Sequence, residues 1–153
     1  MSKKSGKILA LIEQFRGQEL DAHYLGYFAC FNQQLFYEAH DVLEEIWLLD
    51  RQGPNGDFYK GLIQLAGAFV HLQKNRLKPA TALFRLAEAN LGKYPASHER
   101  LEIPGVLRVI QEWLQDLEAG DFQRNPLGTD RLPVLSLLPE GGRAGGELRK
   151  GFR

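Results

Sequence analysis

The stretch FYEAHDVLEEIW, Phe36 to Trp47, sets four acidic side chains and one histidine among aromatic and aliphatic residues. An imidazole beside a carboxylate can ligate a divalent cation or work as a general base. Projected at about 100° per residue, Leu35, Phe36, Ala39, Val42, Leu43, Ile46, Trp47 and Leu49 fill a wide apolar arc. His40 falls at one edge of that arc, beside Phe36 and Trp47, and Glu44 follows one turn later on the same edge. Glu38, Asp41 and Glu45 gather on the other side, where water is the expected neighbour.

A second segment, DFYKGLIQLAGAFVHLQK, carries a polar stripe of Gln64 and His71, seven residues apart and so on one side of a helix. Gly61, Gly67 and Ala68 surround the stripe. A glycine inside a helix costs ~1 kcal/mol relative to alanine. Two of them beside a polar stripe point to close approach by another backbone or by a ligand. The short loop DRQGPNG joins this helix to the one before it, so the two are expected to pair antiparallel. His71 then faces the Phe36–His40 end and Gln64 faces Glu44.

His40, Glu44, Gln64 and His71 thus converge in two alternative senses. In one they form a satisfied hydrogen-bond network that fixes helix register, since buried polar groups need partners. In the other, His40, Glu44 and His71 ligate a divalent metal, or the cluster binds a small ligand, with a metal-dependent hydrolase as one outcome. The structural sense is favoured, because neither His-Glu-x-x-His nor the Glu-x-x-His pair of di-iron bundles occurs. The sequence requires no cofactor and leaves a divalent metal open. No Gly-x-Ser-x-Gly, phosphate-binding glycine loop or Cys-x-x-Cys is present. His23 and His98 read as solvated, Tyr37 and Tyr59 as aromatics at the core edge, and Cys30 as a small inert hydrophobe.

The elements that position this cluster read as helices nearly throughout. Helices are expected from Ile8 to Phe15, after Asp21 as a cap, from Leu35 to Leu49, from an Asp57 cap to Lys74, from Pro79 to Lys93, and from Val106 to Leu117. YPASHERLEIPG reads as a connector. With 153 residues the chain has the length of one domain, enough to bury about two-thirds of its unfolded surface. Nineteen basic and nineteen acidic side chains cancel, which excludes a bulk attraction to nucleic acid or anionic membrane. The ILALI run is too short for a signal segment, and no apolar stretch reaches the ~20 residues of a membrane span. With one cysteine, the expected location is the cytoplasm.

After Gly120 the character changes. LPVLSLLP, Leu132 to Pro139, reads as an extended arm, and EGGRAGGELRKGFR as a disordered basic tail that could touch RNA weakly. The expected organisation is a helical bundle over residues 5–120, then arm and tail over 121–153. A homo-oligomer is left open, and no particular partner is indicated.

FNQQLFYEAHDVLEEIW followed by FYKGLIQLAGAFVHL resembles the family of small prokaryotic proteins catalogued as domain of unknown function 309. The matching positions are Phe31, Asn32, Glu38, Ala39, His40, Asp41, Leu43, Glu44, Trp47, Gly61, Leu62, Ile63, Gln64 and His71. The similarity is strong from Phe31 to His71 and weaker out to Tyr94 and Pro95. Gln33-Gln34, the QKN after His71, and LEIPG depart from the family pattern, all at turns. The resemblance implies an all-α, up-and-down bundle and implies no reaction.

Overall fold

Leu62, Leu65, Ala66, Phe69 and Leu72 recur at helical spacing, and all five are inaccessible or nearly so. They lie on the central helix of an all-α bundle. The computed structural model describes residues 3–128 and 130–139. Six α-helices follow in order: α1 (Lys3–Ile12), α2 (Ala22–Asn32), α3 (Phe36–Leu49), α4 (Gly56–Gln73), α5 (Leu77–Leu91) and α6 (Ile103–Ala119). A short 3-10 turn, Glu13–Phe15, extends α1. No helix among the described residues is long and apolar enough to cross a membrane.

Local chemistry sets most of the boundaries. Asp21 caps α2 by accepting from the His23 backbone N–H at 2.7 Å. Asn75, with φ of 58°, turns the chain out of α4 through the left-handed region that asparagine tolerates. Pro104 sits in the first turn of α6, where its missing N–H costs nothing. The expected Asp57 cap is not formed. The flanking residue of α4 is Asn55, and its side chain caps nothing. Its amide is engaged elsewhere, by Glu99 Oε2 at 2.9 Å and His98 Nε2 at 2.7 Å. Asp57 instead lies in the first turn and pairs with Lys93 Nζ at 2.8 Å.

The connector between α5 and α6 holds a small antiparallel pair that the sequence reading does not include. β1 (Ser97–His98) and β2 (Leu101–Glu102) are joined through Glu99 and Arg100, whose φ angles are 50° and 59°. Non-glycine residues enter this region at a cost. Tyr24 O–H donates to the Glu99 carbonyl at 2.9 Å, and Arg100 pairs with Glu19 at 3.6 Å.

Beyond α6 the chain returns over the helices. Asn32 both donates to the Leu135 carbonyl (2.7 Å) and accepts from its N–H (2.8 Å). Leu138 N–H donates to the Arg100 carbonyl at 2.7 Å, and Leu135 is buried in the main core. The glycine-rich segment expected to be disordered lies in residues 140–153, outside the described residues.

Candidate functional site

The antiparallel α3–α4 pair leaves a cavity along one side of α4, closed on its far side by α5. Tyr37 and His40 line it from α3, Ile63, Gln64, Gly67, Val70 and His71 from α4, and Leu83 from α5. Its volume is ≈ 220 Å³. Half of these residues are aliphatic or glycine, and the other four, Tyr37, His40, Gln64 and His71, carry polar groups.

His71 is one of them. Its Nδ1 is buried and has no hydrogen-bond partner among the described residues. Burial, with Arg76 and then Lys74 adding to it, holds the imidazole below its ordinary pKa. The ring is therefore neutral near pH 7. In the unfolded chain the group titrates near about 6.5, so on acidification it takes up its proton before the folded protein does. Stability is then unaffected by this group above about pH 6.5 and falls as pH drops from there through the lower folded value. His71→Gln should flatten that part of the acid dependence, measured by urea unfolding at pH 7 and pH 5. Identical pH slopes for the two proteins would remove His71 as a contributor.

His40 stands opposite on α3. Its Nδ1 lies 3.1 Å from Asp41 Oδ1, and its ring stacks parallel to Tyr37 at 6.4 Å and 3°. Asp41, expected on the water side, is the more enclosed of the two, with 17% of its side chain exposed against 31% for His40.

Gln64 reaches across to α5. Its Oε1 accepts from Asn90 Nδ2 of α5 at 2.8 Å. The cavity thus has three helical walls, and the α3–α4 pairing supplies two of them.

Ligand atoms of His40, Asp41 and Glu44 lie within 4.8 Å of one another, and all three residues are half-buried. Among the described residues this is the one group of three His, Cys, Asp or Glu side chains so placed, and His71 is not in it. Glu38 turns to Lys7 Nζ at 3.4 Å, and Trp47 carries the Arg51 guanidinium over its ring at 5.7 Å. Gly61 and Gly67 admit α5. A Cβ on Gly61 would stand 2.8 Å from Leu91 Cγ, and one on Gly67 3.2 Å from Leu83 Cδ1. Ala68 is fully buried.

Two histidines expected in solvent are held by partners. His23 Nε2 lies 2.8 Å from Glu45 Oε1, across to α3. His98 packs against Phe58 and Tyr94, each at 4.7 Å, and bonds Asn55. Tyr37, expected at the core edge, is 58% exposed. Cys30 is buried, and that burial, with Glu38 adding to it, pushes its thiol up to about 11. It is therefore protonated, and unreactive as a nucleophile, near neutral pH.

The fold and the cavity define a class: an all-helical bundle whose central helix carries a mostly apolar pocket with imidazole and amide groups in its wall. Residues 24–83, from α2 into α5, match the family model described as Domain of unknown function (DUF309). All of the cavity-lining residues fall within the matched segment. No curated protein and no solved structure matches the chain.

Proposed function

We propose that this protein is a small-ligand-binding module whose site is the cavity between α3, α4 and α5. The observation that carries the reading is that His71, which lines that cavity, has a buried Nδ1 without a partner among the described residues. A register-fixing network satisfies its members, because an unpaired buried polar atom costs about 1–3 kcal/mol. Here His40 bonds its sequence neighbour, Gln64 bonds α5, and His71 Nδ1 bonds nothing described. A ligand in the cavity that turned the imidazole and met that nitrogen would offset the cost. The volume of ≈ 220 Å³ suits one substituted ring, since an apolar cavity of about 150 Å³ can hold benzene.

A second reading is favoured by the spacing of His40, Asp41 and Glu44, which would suit a half-buried divalent cation. His40 would link that cation to the cavity, and metal-bound water beside an organic pocket is the arrangement a hydrolase needs.

Both readings are tested by one set of NMR titrations. Single-ring fragments should shift amide signals of residues 37–40, 63–71 and 83, and Mn²⁺ should broaden those around His40 and Glu44, an effect lost in His40→Ala. Fragment shifts scattered over the surface would overturn the first reading. Absence of Mn²⁺ broadening, accompanied by no heat on Zn²⁺ titration, would overturn the second.

A further inference from the structure

Gln64 is the half-buried end of a chain of polar groups that starts at the surface. Lys93 has only protons to give. Its Nζ lies 2.8 Å from Asp57 Oδ2 and 3.1 Å from Asn90 Oδ1. An ammonium there requires Asn90 to turn its oxygen towards Lys93 and its nitrogen away. That nitrogen then donates to Gln64 Oε1 at 2.8 Å. With its oxygen engaged by Asn90, Gln64 keeps its two amide hydrogens, and Nε2 donates to none of the described residues. The orientation of two side-chain amides is thereby set by one surface lysine, and the second of them belongs to a residue that lines the cavity.

We infer that the cavity takes a compact apolar molecule through an acceptor oxygen, a carbonyl or carboxylate received by the Gln64 amide. This rests on the reading of the cavity as a ligand site. The aliphatic wall of Ile63, Val70 and Leu83 takes the body of the molecule. A ligand presenting only donors meets the wrong polarity at Gln64. One without polar atoms leaves the amide hydrogens unsatisfied, which is how a site rejects an otherwise equal shape. Lys93 acts as a positioning residue: it is remote from the ligand and governs which atom of Gln64 faces it.

Calorimetric titration with four probes of similar size tests the inference: acetophenone, benzoate, cumene and aniline. Acetophenone or benzoate should bind about fivefold or more tighter than cumene, the factor that one neutral hydrogen bond provides. Benzoate above acetophenone assigns the oxygen to a carboxylate and the reverse order to a carbonyl; either order supports the inference. Gln64→Glu keeps an acceptor for Asn90 and removes the donor, so the preference over cumene should vanish. Lys93→Met alters a side chain that is 54% exposed, so the fold is kept, and it should reduce the preference to about twofold by freeing both amides to turn. Binding of cumene as tight as both acetophenone and benzoate, tighter binding of aniline, or a preference that survives Gln64→Glu would each overturn the inference while leaving the ligand site standing. Failure of all four probes to bind would count against the site itself, and the inference would fall with it.

Discussion

Replacement of Phe69 by alanine is expected to lower the free energy of unfolding by about 3–5 kcal/mol. Phe69 is fully buried on α4 and meets a ring from each of four other helices. Phe36 of α3 stacks at 4.9 Å, while Phe31 of α2, Phe84 of α5 and Trp113 of α6 approach edge-on at 5.5, 5.1 and 4.9 Å. Each such pair adds roughly 0.5–1.5 kcal/mol beyond the area it buries, and truncation leaves a cavity that four rigid rings cannot easily collapse into. Leu86→Ala on the half-exposed face of α5 serves as the comparison and should change stability by no more than about 0.5 kcal/mol. Urea unfolding with an unchanged slope measures both. A loss below about 1.5 kcal/mol for Phe69→Ala would mean that the helices do not share one core at this side chain.

Phe69 also marks what could be read from the sequence. Apolar spacing together with capping and turn residues identified all six helices, because both are local properties that a helix carries in its own residues. The same spacing set His40, Gln64 and His71 on faces that meet once α3 and α4 pair. What periodicity does not contain is how far a covering neighbour extends. Leu35 and Leu49, counted in the apolar arc of α3, are 38% and 83% exposed.

Nor does it contain the third wall of the cavity. Asn90 and Leu83 reach the site from a helix whose rotation is set by tertiary packing, and an asparagine beside Leu91 gives little sign of it. The hairpin after α5 was equally silent. Its two turn positions are Glu99 and Arg100, where an Asn-Gly pair would have announced the left-handed backbone. Because that hairpin docks on Asn55, His98 is drawn out of solvent and the α4 cap goes unmade.

Gly61 and Gly67, the two interior glycines of α4, should respond differently to the same substitution. Neither has a positive φ, so conformational freedom is not what either position requires. At Gly61 a Cβ would fall 2.8 Å from Leu91 Cγ and 3.2 Å from Asn90 Cβ, and Leu91 is fully buried. The branch atom of a buried leucine has nowhere to turn, so α5 must move. Gly61→Val is expected to cost about 1–3 kcal/mol, even though leaving glycine improves helix propensity by several tenths of a kcal/mol. At Gly67 the one contact is 3.2 Å to Leu83 Cδ1, a terminal methyl of a half-buried side chain that can rotate away. Gly67→Val should therefore alter stability by less than about 1 kcal/mol, while its methyls occupy the cavity and weaken fragment binding about tenfold or more. Unfolding and titration of the two variants separate the roles. If Gly61→Val were instead stabilising, α5 could not lie so close to α4. If Gly67→Val bound single-ring fragments as the parent protein does, the cavity beside His71 would not be where they bind.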